Sequence, residues 1–220
     1  MNVSKIPVYF MPGMAASSEI FKNIRLPEDR FEMHLLEWFI PERGITFDAY
    51  AAKMCSFIKH KNAVLIGVSL GGLLVQEMAK HMEADKVIII SSIKQKSELP
   101  KRLLFAKYTS IHKLLPTGLV NNVELLAKYA FGEMITKRLE LYEEYLSIRD
   151  KYYLDWCIDN LVHWNQSSYD SRIVHIHGEK DAVFPIQYIE NCHIVPKGTH
   201  TMIIHRFKWF NERLPTIILE

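Results

Sequence analysis

The chain has 220 residues, 49% of them hydrophobic and 24% charged, with a formal net charge of +2. These are the proportions of one ordinary globular domain able to bury a sizeable core. So even a balance excludes a polyelectrolyte partner, and no nucleic-acid partner is expected. The cysteines Cys55, Cys157 and Cys192 are odd in number and form no CxxC pair, which argues against a disulfide framework and a thiolate metal site.

In chain order, short apolar runs alternate with helical patterns, the signature of an α/β fold in which crossover helices flank a mainly parallel sheet of about six strands. The first strand is Ile6 to Met11, ended by Pro12-Gly13. A short helix capped by Ser17 or Ser18 follows, and then a strand from Phe31 to Trp38. Thr46 is placed to cap a helix whose apolar face is Tyr50, Met54, Phe57 and Ile58. Ala63-Val64-Leu65-Ile66 is continuously apolar, as a central strand buried on both faces must be. A helix is expected from Leu70 to Met82, and another buried strand at Val87 to Ile90.

Between Ser92 and Tyr169 the pattern is helical throughout. Stripes recur through Leu104–Leu115, Val123–Met134, Ile135–Leu146 and Leu154–Leu161. Residues 96–168 are therefore expected to form a helical cap inserted into a core made of residues 1–95 and 169–220, with the last cap helix returning to the sheet. Strands resume at Arg172 to His177 and His193 to Val195, and a helix carrying Phe207, Phe210 and Leu214 ends before Pro215.

The sharpest motif is Gly67-Val68-Ser69-Leu70-Gly71-Gly72, a G-x-S-x-G between a buried strand and a helix. A serine on so tight a turn is lifted clear of the sheet, and glycines flank it because larger residues collide. The helix N-terminus behind it aims unpaired N–H groups at any oxyanion formed beside Ser69, and the N–H of Leu70 is one such donor. The alternative is a glycine-rich turn that merely packs strand on helix. Neither G-x-G-x-x-G nor a P-loop is present.

At this point the chain resembles the α/β-hydrolase family over nearly its whole length, in the order strand–glycine loop, nucleophile elbow, cap, acid loop, histidine loop. The resemblance implies the α/β-hydrolase fold and a nucleophile, acid and base in the order Ser, Asp, His. Gly178-Glu179-Lys180-Asp181 matches the acid loop and makes Asp181 the orienting acid, with Glu179 as the runner-up. Gly198-Thr199-His200 matches the histidine loop and makes His200 the general base, with His205 as the fallback. By the same resemblance the second oxyanion donor is the N–H of Met14, in a loop where Pro12-Gly13 replaces the family's His-Gly. Two departures stand out: the first two strands of larger members are missing, and the Asp181–His200 separation is short. His175 and His177 share one strand face without a third metal ligand at diagnostic spacing, so no metal is expected there.

Pocket candidates are the apolar Met14, Trp38, Phe39, Leu70 and Phe184. The reading at this stage is a serine hydrolase that cleaves a small or medium hydrophobic carboxylic ester through an acyl-enzyme on Ser69, without a cofactor. Thioester cleavage, carbon–carbon bond hydrolysis, acyl transfer and a non-catalytic ligand-binding member stand as alternatives. With no cationic, apolar leader and no apolar run near the roughly 18 residues of a membrane span, no integral membrane segment is expected and the cytoplasm is the expected location.

Overall fold

The computed structural model describes residues 5–101, 103, 145 and 148–220. Its centre is a six-stranded sheet in the order β2-β1-β3-β4-β5-β6. The strands are β1 (Ile6–Met11), β2 (Phe31–Leu35), β3 (Ala63–Val68), β4 (Ala84–Ile90), β5 (Ile173–Gly178) and β6 (His193–Val195), and every pairing is parallel. Parallel neighbours need a crossover between them, and crossovers leave helices on both faces. The helices that lie wholly within the described residues are α1 (Phe47–Cys55), α2 (Leu70–Met78), α3 (Lys151–His163), α4 (Met202–His205) and α5 (Phe207–Leu219).

The period-2 alternation of the strands divides the core in two. Tyr9, Met11, Leu65, Val87 and Ile89 point to the face covered by α1, α2 and α3, whose Tyr50, Met54, Leu74, Met78, Tyr153 and Cys157 pack against them. Val8, Phe10, Val64, Ile66, Ile88 and Ile90 point the other way, onto Phe210, Leu214, Ile217 and Ile218 of α5 and Ile20 and Phe21 of the short 3₁₀ turn Ser18–Phe21. β3 is buried at all six positions, as its unbroken apolar sequence requires.

Local signals account for several boundaries. Thr46 caps α1 by accepting the N–H of Ala49 at 3.1 Å, and Asp150 caps α3 by accepting that of Tyr153 at 2.8 Å. Ser17 stands before the 3₁₀ turn without a side-chain cap. Several expectations shift. β2 stops at Leu35 rather than Trp38, because the chain turns there to send Trp38 beneath the β1 loop. Helix α2 stops at Met78 rather than Met82, and α1 stops at Cys55, which leaves Phe57 54% exposed. Conversely α5 runs through Pro215 to Leu219. Burial of Ile217 and Ile218 offsets the hydrogen bond that proline removes, and Lys86 Nζ donates to both of their carbonyls at 3.0 and 2.9 Å.

The expected cap is described only in part. Its stripes through Leu104–Leu115, Val123–Met134 and Ile135–Leu146 lie outside the described residues apart from Tyr145. The last expected helix is α3, which packs on the α2 flank of the sheet through Tyr153, Leu154, Trp156 and Cys157. Among the described residues, no helix is long and apolar enough to cross a membrane.

Leu65 is fully buried at the centre of β3, between α2 and the neighbouring strands. Leu65→Ala is expected to cost about 3 kcal/mol through lost burial and a residual cavity. A lowered urea midpoint with an unchanged m-value is the measurement that checks it.

Candidate active site

The loops that follow β1, β3, β5 and the short β6 meet at the carboxyl edge of the sheet, where parallel α/β sheets carry their sites. The turn from β3 into α2 holds Ser69 at φ 53°, ψ −120°, a left-handed backbone that a serine adopts only when its surroundings force it. The forcing contacts are visible. A Cβ on Gly67 would come within 2.2 Å of the carbonyl oxygen of Gly71, and one on Gly71 within 2.3 Å of that of Pro12. Ser69 N–H donates to Ile90 O at 2.9 Å, and Ser92 Oγ donates to Ser69 O at 2.7 Å. The elbow is thus clamped between the loop after β1 and the end of β4.

A continuous line of hydrogen bonds starts at Ser69. Its Oγ lies 3.0 Å from His200 Nε2, and His200 Nδ1 lies 2.9 Å from Asp181 Oδ2. With Nδ1 protonated toward the carboxylate, Nε2 presents its lone pair to the serine hydroxyl. The other carboxylate oxygen, Asp181 Oδ1, accepts the N–H groups of Val183 and Phe184 at 2.8 and 2.9 Å. Phe184 meets the imidazole of His200 edge-on, with ring centroids 5.6 Å apart. Asp181 and His200 are 4% and 5% exposed, so these bonds operate away from bulk water. Burial opposes ionisation of Asp181. The imidazole of His200, then His177 and the Phe184 N–H, outweigh that effect and hold its pKa below the usual carboxylate value.

The acid and histidine loops are fastened to each other. Lys180 N–H donates to Gly198 O at 2.7 Å, Glu179 N–H to Val195 O at 3.2 Å, and Lys197 N–H to the Glu179 carboxylate at 2.7 Å. A Cβ on Gly178 would sit 2.5 Å from Gly198 O, so only glycine permits this approach. Glu179, the alternative acid, is occupied by this fastening. His205, the alternative base, lies at the end of α4.

Below the acid loop sit His175 and His177. His177 Nε2 lies 2.8 Å from Phe184 O and donates to it, and its Nδ1 lies 3.0 Å from His175 Nε2 and accepts from it. The two rings therefore bond to each other and to the turn that orients Asp181. Burial lowers the pKa of both, with the charge of the other ring adding to the effect at His175 and Asp181 opposing it at His177.

The sequence-expected oxyanion donors lie beside the elbow. No described group accepts the N–H of Met14 or of Leu70. The Met14 loop is braced from two sides: Trp38 Nε1–H donates to Pro12 O and Gly13 O at 3.1 and 2.9 Å, and Tyr153 Oη accepts the N–H of Ala15 at 3.1 Å. Burial holds the Tyr153 phenol far above its usual pKa, so it stays neutral in this role. Ala15 itself has φ 62°.

A small cleft of about 40 Å³ runs past Ser69 and His200. It is lined by Met14, Ile20, Val68, Ile203 and Ile204, with Thr201 as a further polar group. Of the expected pocket residues, Met14 is there, while Trp38, Phe39, Leu70 and Phe184 are not among its lining, and the Leu70 side chain is buried in the core. Trp38 is 5% exposed and turned under the β1 loop, Phe39 stacks on Tyr50 at 4.1 Å, and Phe184 is fully buried against His200. Their apolar character serves the support of the site. Sequence reasoning placed His175 and His177 in the core or behind the site, and passed over Ser92 and Tyr153. Of these, only the Ser91-Ser92 pair ending a buried apolar strand carried a local signal, since small polar residues there mark a strand that ends at a site.

No family model matches the chain, and no curated protein matches its sequence. Solved structures do. A protein from Mycobacterium tuberculosis H37Rv assigned as a non-heme bromoperoxidase superposes with a TM-score of 0.71 at 13% identity, over 99% of this chain and 93% of that one. A lipase-esterase related protein from Clostridium acetobutylicum ATCC 824 gives 0.65 at 19% identity, over 98% and 96%. A thermophilic esterase from Thermogutta terrifontis gives 0.64 at 14% identity, over 98% and 90%.

Holding His175 and His177 neutral links stability to pH. In the unfolded chain their imidazoles take up protons below about pH 6.5, whereas the folded ones resist until lower pH. Their contribution is fully present above that value and is lost as pH falls. The depressed Asp181 adds a second loss only below about pH 4. Thermal melts are expected to show a falling Tm between about pH 7.5 and about pH 5.5, with a smaller fall in His175→Gln, which keeps a donor for His177 but does not titrate.

Proposed function

From the α/β-hydrolase fold that the chain shares with those structures, we propose that it is a serine hydrolase acting on a carboxylic ester with a small or medium hydrophobic group. The observation that carries this reading is the unbroken line from Ser69 Oγ through His200 to Asp181, at 3.0 and 2.9 Å, on a strained elbow beside an apolar cleft.

The chemistry follows from the geometry. Ser69 Oγ attacks the ester carbonyl carbon while His200 Nε2 takes its proton. Asp181 keeps the imidazole oriented and stabilises the imidazolium that forms. The carbonyl oxygen gains negative charge and receives the N–H groups of Met14 and Leu70, at a helix N-terminus already inclined toward anions. The tetrahedral adduct collapses, and the alcohol leaves with the proton from His200. Water then attacks the acyl-enzyme as His200 accepts its proton; the second adduct breaks its bond to Ser69 Oγ, which takes that proton back from His200, and the carboxylic acid departs. The cleft wall of Ile20, Val68, Ile203 and Ile204 suits an apolar acyl or alcohol part. The names of the neighbouring esterase and lipase-esterase related structures support ester cleavage over thioester or carbon–carbon bond hydrolysis. No step in this sequence calls for a cofactor.

Ser69→Ala is expected to lower turnover of p-nitrophenyl esters by about 10⁴-fold or more while leaving the Tm unchanged. A fluorophosphonate probe is expected to label the wild type and not the variant. Asp181→Asn is expected to lose about 10⁴-fold in kcat, because the amide favours the wrong imidazole tautomer. Wild-type turnover surviving in Ser69→Ala, or failure of the wild type to label, contradicts the reading.

A further inference from the structure

On the α1 side of the sheet edge, away from the loops that carry Ser69, Asp181 and His200, three potential ligands converge. Glu32 and His34 lie two apart on β2 and so on one face of that strand, and His60 comes from the loop that leads into β3. Among the described residues these three form the group of ligand atoms close enough to hold a metal ion, all within 4.8 Å of one another.

The surroundings are organised around the rings. Tyr9 of β1 pairs in register with His34 and stacks on it, centroids 4.5 Å apart and planes 16° apart. The His34 and His60 centroids are 4.9 Å apart. Tyr9 Oη lies 2.8 Å from His60 Nδ1 and accepts the N–H of Lys59 at 3.0 Å. When this phenol accepts from His60 Nδ1–H as well, the Nε2 lone pair is left for a metal, the usual support for a ligating imidazole. His34 Nε2 is itself shielded from solvent and makes no well-aligned hydrogen bond, on a side chain that is 26% exposed. Its polar neighbour is the Glu32 carboxylate at 3.2 Å, and a cation between them is satisfied by both groups.

We propose that Glu32, His34 and His60 form a divalent transition-metal site of the zinc class, which ties the edge strand β2 to the loop after α1. Two imidazoles and one carboxylate suit zinc, and are too rich in nitrogen for calcium or magnesium. Tetrahedral ligation at about 2.05 Å places ligand atoms about 3.3 Å apart. The His34–Glu32 pair already stands at that spacing, and side-chain rotation of the exposed Glu32 and half-buried His60 brings in the rest. Water fills the fourth position. The site is separate from ester chemistry, and its role is to hold an edge strand in place.

The test uses the whole chain, stripped with EDTA and titrated with Zn²⁺ against a chromophoric chelator, with Co²⁺ as a spectroscopic substitute. One Zn²⁺ per chain is expected, with visible Co²⁺ bands of a low-symmetry site and a Tm that rises on metal addition. His34→Gln and His60→Gln are each expected to weaken binding by about 100-fold or more and to abolish the Tm rise. Tyr9→Phe, which keeps the stacking ring and removes the hydroxyl, is expected to weaken it about 10-fold. The apo forms of the glutamine variants are expected to melt with the apo wild type, which separates lost ligation from lost folding. Turnover of p-nitrophenyl esters is expected to be the same with and without EDTA. Absence of stoichiometric binding overturns the proposal and leaves a Glu32–His34 ion pair only. Binding that survives unchanged in both glutamine variants also overturns it.

Discussion

The arrangement of the whole carboxyl edge depends on one close approach, that of the α2 backbone at Gly71 to the carbonyl of Pro12. There is no room for a side chain between them. That contact brings the loop after β1 beside the turn after β3, and it is why Ser69 is driven to a positive φ instead of relaxing into the helix. The strain is sustained from all sides, by the Ile90 and Ser92 hydrogen bonds behind the elbow and by Trp38 and Tyr153 beneath and beside the Pro12–Ala15 loop. The two backbone N–H groups proposed to receive the oxyanion stand next to each other because of this clamp, not because of any feature of their own side chains.

A second close approach, between Gly178 and Gly198, performs the same service for Asp181 and His200. Loops from two neighbouring strands are locked together by backbone hydrogen bonds, so Asp181 and His200 keep their mutual distance even though both sit on turns. The low exposure of the pair strengthens each hydrogen bond and makes an unsatisfied partner expensive. Every acceptor position of Asp181 that faces the protein is used: Oδ1 by two backbone N–H groups, and Oδ2 by His200. The His175–His177 pair extends that order inward from the Phe184 carbonyl.

The edges of the sheet are handled differently. β6 has three residues, short enough to offer little for another strand to pair with. β2 has five, and the cluster of Glu32, His34, Tyr9 and His60 lies along its α1 face. Polar and titratable groups on an edge strand discourage pairing with other chains, and tying them to a neighbouring loop holds the strand to the sheet.

Much of this was written locally. The unbroken apolar runs Ala63–Ile66 and Val87–Ile90 had the length and branched residues of strands buried on both faces, and the Thr46 cap marked the start of α1 because a cap is a contact between near neighbours in sequence. The parallel α/β architecture was legible from that alternation, and the α/β-hydrolase fold was implied by the family resemblance that the glycine-flanked Ser69, the Asp181 loop and the His200 loop carry. Contacts between distant segments were not legible. Trp38 and Phe184 looked like pocket residues, since apolar character does not say which way a side chain faces; the β1 loop carbonyls and the His200 ring decided it. Pro215 looked like a helix end until the burial of Ile217 and Ile218 outweighed the lost hydrogen bond. The sequence by itself determined the strands, the elbow and the order of its polar residues, because those rest on periodicity and sterics within a few residues. The family resemblance pointed to His200 among 10 histidines; only the tertiary structure decided that its ring reaches Ser69 at 3.0 Å and that Glu32, His34 and His60 share one corner, because such meetings depend on the sheet order and on backbone approaches that no local pattern records.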